Sequence, residues 1–246
     1  MLGGVLNRLA GAVRPKAPQA SRVPEVVRLY AVGDIHGHFI RLQAALDAIG
    51  FDPAVDRLFS VGDLVDRGPE CEDVIKWLNK PWFHPVRGNH DDYVVRFDTC
   101  DIGNWMQNGG VWFVGLPLTE QQNYQVLFQD LPIAIEVETA DGIVGIVHAD
   151  CVFDTWAQMK TELEAPESNK RLRLTQNICM WSRSRYEQQD CRPIPDVRAV
   201  VVGHTPIEHA AVLGNVHHID TGGWMKDGSG HFTLLDLATL QPLNPA

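Results

Sequence analysis

The sequence has no closely paired cysteines, no long apolar run and no excess of basic residues. Its five cysteines form no C-x-x-C pair, which excludes zinc-ribbon spacing and argues against a disulfide framework. No apolar run reaches the roughly 18 residues of a membrane span, so we expect no stable membrane association. Lys and Arg total 21 against 31 Asp and Glu, and a net charge of −10 argues against extended contact with nucleic acid. These absences predict a cytoplasmic protein with reduced thiols.

The composition is otherwise that of a globular domain. The 246 residues, of which 45% are hydrophobic, suit one domain with a sizeable core. Residues 1–24 contain four basic and no acidic side chains and are interrupted by glycine and proline. We therefore predict a flexible N-terminal extension over 1–25, one folded domain over 26–240 and a C-terminal tail over 241–246. A short surface-binding or partner helix is the alternative for the extension.

The first half of the folded domain alternates short β-rich runs with helical patterns. Strands are predicted at 26–32, 57–61 and 82–86, and helices at 39–49 and 70–79. Each strand ends in a glycine-containing turn. Strand–loop–helix repetition of this kind predicts an α/β layered fold.

The second half is richer in antiparallel signals. The predicted strands lie at 133–138, 143–147, 197–202, 210–213, 216–219 and 231–237. The first two flank a turn that suits a β-hairpin. We expect these late strands to form a second sheet packed on the first, with polar or helical insertions at about 91–130 and 152–195.

Potential metal ligands follow the predicted strands. They are Asp34, His36, Asp63, Asp66, Asn89, His90, Asp91, His148 and His204. In α/β sheets the loops at the carboxyl ends of strands form the ligand crevice, so these side chains can converge without being sequence neighbours. Glycines beside them permit tight turns and close approach of the backbone to a bound ion.

The residue types at these turns favour a borderline divalent metal. Three imidazoles, two carboxylates and one amide oxygen suit manganese, iron or zinc, whereas no thiolate is present for a softer site. Six such groups exceed what one catalytic ion needs, because a catalytic site keeps positions open. A carboxylate shared by two ions about 3.5–4 Å apart resolves the excess.

Six short blocks resemble those of the phosphoprotein phosphatases, and in particular of their phage and bacterial branch. They read GDIHG at 33–37, GDLVDRG at 62–68, GNHD at 88–91, VHA at 147–149, WSR at 181–183 and GHTP at 203–206. The resemblance covers about 26–240, which it makes the catalytic domain. It implies a calcineurin-like metallophosphoesterase fold, with two packed mixed β-sheets flanked by helices. It also implies a serine/threonine protein phosphatase acting on phosphoproteins or phosphopeptides.

The resemblance further implies two metal ions, for which manganese is expected and iron or zinc are alternatives. The implied ligands are Asp34, His36 and Asp63 for one ion, and Asp63, Asn89, His148 and His204 for the other. Asp63 would bridge the pair. A hydroxide between the ions would attack phosphorus in line, without a covalent phosphoenzyme.

The same resemblance implies the residues that handle substrate. Arg67 and Arg183 match phosphate-binding arginines, and planar guanidinium groups suit phosphate oxygens. Asn89 would also face the phosphate, and Arg87, which precedes the asparagine block, would support the pocket. His90, oriented by Asp66, would protonate the leaving oxygen. A carboxylate partner of this kind fixes the imidazole tautomer.

Some residues depart from the family blocks or lie outside them. Asp91 stands where the family commonly has glutamate. Asp150 and Asp220 are either acceptors for a ligand histidine or turn residues. The remaining histidines are interpreted as surface or strand residues, and they are His38, His84, His209, His217, His218 and His231.

Three other functions stay open at this point. Symmetrical diadenosine tetraphosphate hydrolases share most of the blocks, but they typically have alanine at the position of Asp66. Cleavage of a small phosphodiester is a further enzymatic alternative. A catalytically inactive phosphate-binding module would predict a broken ligand set, whereas all six ligand positions are filled here.

Overall fold

A computed structural model describes residues 28–243, so the predicted extension over 1–25 lies outside the described residues. The strands are β1 Leu29–Val32, β2 Arg57–Ser60, β3 Phe83–Pro85, β4 Ala134–Thr139, β5 Gly142–Val147, β6 Ala199–Val202, β7 Ala211–Leu213, β8 Val216–His218, β9 Leu234–Asp236 and β10 Gln241–Leu243. The helices are α1 Phe39–Ala48, α2 Val74–Leu78, α3 Asn89–Val95, α4 Ile102–Trp105, α5 Val111–Val114, α6 Leu118–Gln129, α7 Trp156–Glu164, α8 Asn169–Trp181 and α9 Ser184–Gln188. A 3₁₀ turn, Cys71–Asp73, precedes α2, and a π-helical turn, Met106–Gly110, joins α4 to α5.

The strands form two five-stranded mixed sheets. The first has the order β10-β9-β1-β2-β3, in which β1, β2 and β3 run parallel. The second has the order β4-β5-β6-β8-β7, with the predicted hairpin β4–β5 at one edge. In this sheet β5, β6 and β8 are parallel, so the late strands are less uniformly antiparallel than the turn signals indicate.

The two sheets pack face to face, and the alternation of side chains along each strand decides which residues meet there. Ala31 of β1 and Val201 of β6 lie in the apolar layer between the sheets. Their neighbours Val32 and Val202 point outward into the separate cores under the helices. This period of two is what a strand buried on both faces requires. The predicted α/β arrangement of two packed mixed sheets flanked by helices is confirmed.

The C-terminal strands differ from the sequence prediction. β9 pairs antiparallel with β1 and therefore belongs to the first sheet, not to the second. Gln241–Leu243, predicted to be part of a tail, pair with β9 as β10. The turn between them is held by Asp236, whose carboxylate accepts the backbone N–H groups of Ala238 and Thr239. Across residues 28–243, no helix combines the length and apolar character needed to cross a bilayer.

Candidate active site

The carboxyl ends of β1, β2, β5 and β6 and the start of α3 converge at one edge of the two sheets. They bring together all six predicted metal ligands, each of them buried: Asp34, His36, Asp63, Asn89, His148 and His204. Two glycines at these turns lie directly against candidate ligand side chains. A Cβ at Gly88 would collide with Asp63, and a Cβ at Gly203 would collide with the Asp34 carboxylate. The turns therefore pack backbone directly against ligand side chains.

Backbone carbonyl groups fix the tautomers of the three ligand histidines. His36 Nδ1 donates to Val65 O at 2.9 Å, and His148 Nδ1 donates to Val61 O at 2.7 Å. His204 uses its other nitrogen, because Nε2 donates to the carbonyl of Trp181 at 3.2 Å. The remaining nitrogen of each ring consequently carries a lone pair that points into the site, as a metal ligand needs.

The second half of the site is a group of acceptors without a donor between them. His148 Nε2 and His204 Nδ1 each lie 2.9 Å from Asn89 Oδ1. With the tautomers above, all three atoms are acceptors, and acceptors placed so close repel unless a cation lies among them. Together with Asp63, these three groups form a ligand set that fits a divalent metal of the borderline class.

Asp63 lies between the two halves of the site. Its Oδ1 is 3.4 Å from His148 Nε2, and its Oδ2 is 3.5 Å from His36 Nε2. Asp63 has a left-handed backbone conformation with a φ of 51°, and the preceding residue, Gly62, has a φ of 99°. Burial alone would raise the pKa of Asp63, but the nearby His148, His90 and His36 lower it overall. One carboxylate thus presents a separate oxygen to each half, as a bridging ligand must.

Asp34 and His36 form the first half of the site, with Asp63 shared between the halves. Asp34 Oδ2 lies 3.9 Å from His36 Nε2, and Asp34 Oδ1 accepts the backbone N–H of His204 at 3.0 Å. Burial, Asp220 and Asp63 raise the pKa of Asp34 well above its ordinary value. Buried carboxylates crowded in this way need positive charge nearby to stay ionised, and a bound cation would supply it.

The predicted dyad is formed, and two tryptophans hold it. His90 Nδ1 donates to Asp66 Oδ2 at 2.7 Å. The indole of Trp105 also donates to Asp66 Oδ2, and that of Trp112 to Oδ1, both at 2.7 Å. Burial lowers the pKa of His90, but Asp63 and Asp66 outweigh it, so the pKa is raised. Sequence reasoning does not identify either tryptophan as a partner of Asp66, and their seven-residue separation, about two helical turns, is the one signal that could have linked them.

Arg67 and Arg183 lie on opposite sides of the site. Arg67 donates to His36 Nε2 at 2.7 Å and to His90 Nε2 at 3.1 Å, and it stacks 4.3 Å from the ring centre of Trp224. Arg183 donates to the His204 carbonyl at 3.3 Å. Both guanidinium groups are thus close to groups that would surround a phosphate.

The position of Arg67 depends on the insertion that carries the tryptophans. Gly109 of the π-helical turn has a φ of 110°. A Cβ at this position would collide with the backbone nitrogen of Arg67. The insertion is therefore packed against the main chain of the GDLVDRG turn itself.

Arg87 lies apart from Arg67 and Arg183. Its backbone N–H donates to Pro132 O, and its guanidinium lies 3.8 Å from the Asp92 carboxylate. The side chain lines a cavity between α3 and α8. Arg87 therefore lies beside the site, because α3 begins at Asn89 and turns that residue, but not Arg87, toward the other candidate ligands. Its support of the phosphate pocket stays a prediction.

Asp91, Asp150 and Asp220 each accept at least one backbone N–H group. Asp91 accepts the N–H groups of Leu64 and Gly88, which ties two ligand turns together. Asp150 accepts from Ser182 and from the backbone of Arg185, on either side of Arg183. Asp220 accepts the N–H of Gly222 and the indole of Trp224.

The remaining histidines follow the prediction with one exception. His84, His217 and His218 lie in strands, and His209 is exposed. His231 forms an isolated bridge with Gly222. His38 is neither a surface nor a strand residue, because it is buried at the start of α1 and its Nδ1 donates to the His36 carbonyl at 2.7 Å. This hydrogen bond stabilises the turn that carries the candidate ligand His36.

Comparison with known proteins identifies the family. The model of the calcineurin-like phosphoesterase family matches residues 27–208. Serine/threonine-protein phosphatase 2 of Escherichia coli is 34% identical over 201 residues, which cover 79% of this chain and 87% of that protein. A symmetrical bis(5'-nucleosyl)-tetraphosphatase of Aromatoleum aromaticum is 41% identical, but over 70 residues that cover 28% of this chain and 26% of that protein.

The similarity extends to solved structures. The crystal structure of a putative diadenosine tetraphosphatase superposes with a TM-score of 0.57 at 18% identity, covering 89% of this chain and 92% of that one. At this identity the likeness shows the fold alone. The matched family model spans the ligand turns after β1, β2, β3, β5 and β6, and the bacterial phosphatase matches most of the chain. The chain belongs to the calcineurin-like phosphoesterase family.

Proposed function

We propose that this protein is a metal-dependent serine/threonine protein phosphatase that hydrolyses phosphomonoesters of phosphoproteins. The observation that carries the proposal is the dyad of His90 and Asp66, with Asp66 held by two indole N–H groups. A serine alkoxide is a poor leaving group and needs a proton, so a rigid acid beside the phosphate site suits this substrate. The bacterial relatives bear the same activity in their names.

The donor sets support two divalent ions, with manganese expected and iron or zinc as alternatives. Asp34, His36 and Asp63 would hold one ion, and Asp63 with Asn89, His148 and His204 would hold the other. When bound, such ions supply positive charge to phosphoryl oxygens and make a coordinated water nucleophilic at neutral pH. The carboxylate of Asp63, which presents one oxygen to each half, supports the paired arrangement.

The side chains around the metals would bind and orient the phosphate. Arg67 contacts the Nε2 atoms of both His36 and His90, and so lies between a ligand and the acid. Arg183 approaches from the side of His204. Guanidinium groups placed on two sides of one phosphate fix its orientation and favour the charge that develops on its oxygens. Asn89 would add an amide contact.

His90 would deliver the proton to the leaving oxygen. Its Nδ1 is occupied by Asp66, so Nε2 is the atom that faces the substrate. His90 Nε2 also lies 4.0 Å from Asp63 Oδ2, which puts it at the edge of the metal centre. Asp66 keeps the ring oriented and stabilises its protonated form. Five free cysteines are compatible with a reducing cytoplasm and have no part in this chemistry.

Hydrolysis of symmetrical dinucleoside tetraphosphates is the second candidate, because proteins of that name match about a quarter of the chain at 41% to 48% identity. The test is a comparison of turnover on metal-loaded enzyme with a phosphoserine peptide, diadenosine tetraphosphate and a bis-aryl phosphodiester. Higher kcat/KM for the phosphopeptide than for the other two is expected. A preference for diadenosine tetraphosphate would replace the proposed function, and a preference for the diester would point to a phosphodiesterase.

A further inference from the structure

We propose that a groove between α3 and α8 binds acidic residues of the protein substrate that lie near its phosphorylated residue. The proposal rests on the protein-phosphatase function proposed above and adds a preference for one class of substrate. The groove is called the arginine groove and is defined by Arg87, Arg96, Thr99, Arg173 and Asn177.

The arginine groove consists of two adjoining cavities. The first has a volume of about 540 Å³ and contains all three arginines. The second, of about 500 Å³, shares Arg96, Thr99 and Asn177 with the first and ends at Trp181. It is also lined by Asp101, whose carboxylate caps the start of α4. Together they form one depression along the side of α8, large enough for several side chains of an extended peptide.

Positive charge in the first cavity exceeds the negative charge that could neutralise it. Asp92 is the one acidic side chain among its lining residues, and it pairs with Arg96 at 2.6 Å. The same carboxylate lies 3.8 Å from Arg87, whose Nε is buried without a hydrogen-bond acceptor. One carboxylate therefore serves two guanidinium groups, and N–H donors remain for an incoming anion.

Arg173 adds a third guanidinium group at the outer end. Its side chain is exposed, and no acidic group of the described residues lies within 4.0 Å of it. The whole chain carries a net charge of −10, so a cationic cavity departs from the character of the protein. Guanidinium groups match carboxylates in geometry as well as charge, which favours aspartate and glutamate side chains as the ligand.

The groove leads to the metal centre by way of Trp181. The backbone carbonyl of Trp181 accepts a hydrogen bond from His204. The centre of the Trp181 ring lies 5.5 Å from the centre of the Tyr93 ring. Arg173 is eight residues before Trp181 on α8, a rise of about 12 Å. An extended peptide covers that length in about four residues. A substrate with its phosphate at the metals could thus place acidic side chains along the groove.

The test compares phosphoserine peptides that differ only in the residues flanking the phosphate. One peptide has glutamates before phosphoserine, one has them after it, and a third has glutamines at all these positions. An aryl phosphate reports the chemistry without flanking residues. Arg173→Glu, which reverses an exposed charge, is compared with Lys170→Glu, which makes the same change on α8 outside the groove.

We expect the wild-type enzyme to prefer one of the two acidic peptides over the glutamine peptide. Arg173→Glu should lower kcat/KM for that peptide by about three- to tenfold, mainly through KM, as befits partly exposed charge pairs. It should leave the glutamine peptide and the aryl phosphate unchanged within about twofold. Added salt should reduce the preference. Lys170→Glu should change little.

Other outcomes separate the two proposals. Equal turnover of acidic and glutamine peptides by the wild-type enzyme would overturn the arginine groove and leave the protein-phosphatase function standing. Equal losses from Arg173→Glu and Lys170→Glu would mean that net charge, and not the groove, sets the preference. Turnover of the aryl phosphate without turnover of any phosphopeptide would instead overturn the proposed function.

Discussion

The metal centre and the wall beside it are built in different ways. Five of the six candidate ligands stand next to a glycine, and each follows a strand by a few residues. The wall is made by side chains of helical insertions, such as Trp105, Trp112 and Trp181, which reach the centre across long sequence separations. The hydrogen bonds from the two indoles to Asp66 span 39 and 46 residues. Ligand positions therefore have a local signature, whereas wall positions acquire their role only in the folded protein.

Asp63 offers the severest test of the metal centre. Because its two oxygens face different halves, Asp63→Asn should weaken both metal sites and lower kcat by about 10³-fold or more. Loss of His148, a candidate ligand of the second half alone, should cost less. Elemental analysis and turnover of an aryl phosphate after chelation and reloading with manganese measure both effects.

Asp98→Asn, an exposed change of the same kind, is the control and should leave metal content and rate unaltered. A fully active preparation that holds at most one tightly bound ion would contradict the two-metal centre. So would an Asp63→Asn variant that retains two ions and normal turnover.

His90 lies between the metal centre and the wall. The rate lost when His90 is replaced should depend on the leaving group of the substrate. His90→Asn should retain metals yet lose about 10²–10⁴-fold on a phosphoserine peptide. On a nitrophenyl phosphate, whose leaving group departs without a proton, the loss should be far smaller. Asp66→Asn should show the same selectivity in milder form. Equal losses on both substrates would mean that His90 binds phosphate or stabilises charge and is not the acid.

The tryptophans test whether the wall contributes to chemistry. Trp112→Phe and Trp105→Phe each remove one hydrogen bond to the Asp66 carboxylate, and such bonds contribute about 1.5–3 kcal/mol. With partial replacement by water, we expect about a tenfold loss on the phosphoserine peptide and less on the nitrophenyl ester. Trp82→Phe changes a core indole away from the dyad and serves as the control. A loss that is the same for both esters would indicate a purely structural role.

Thiol alkylation should have the smallest effect. Burial raises the pKa of Cys71 and of Cys151 to about 12, so both remain protonated and unreactive near pH 8. Cys191 is exposed and lies in neither the metal centre nor the wall. Iodoacetamide should therefore modify Cys191 first, as mass spectrometry would identify, while turnover stays within about twofold. Inactivation in step with modification would assign a thiol to the site.

The parts of the fold that sequence predicted correctly are those with local causes. The strands that precede the ligand turns, the β4–β5 hairpin and α1 each have a period and an end signal within their own residues. β9 was assigned to the wrong sheet because its partner, β1, lies about 200 residues earlier, and either sheet could accept an apolar strand. β10 has a proline in a three-residue edge strand, which is a weak strand signal.

The same distinction holds within the site. The convergence of Asp34, His36, Asp63 and the later candidate ligands could be predicted because residue type and turn coincide. The position of Arg87 beside Asp92 could not be predicted, because a place two residues before a candidate ligand does not fix the direction of a long side chain. The support of Asp66 by indoles could not be predicted, since nothing near Asp66 in the sequence indicates which distant side chains will satisfy a buried carboxylate.

The contact between Gly109 and the main chain of Arg67 has a consequence for exchanging parts between related enzymes. The insertion that carries Trp105 and Trp112 cannot be transferred by itself to another catalytic domain. Its turn packs closely against the backbone that positions Arg67 and Asp66. A chimera that replaces residues 101–114 must replace 62–68 with them. The two segments form one structural unit, although residues 69–100 separate them in the chain.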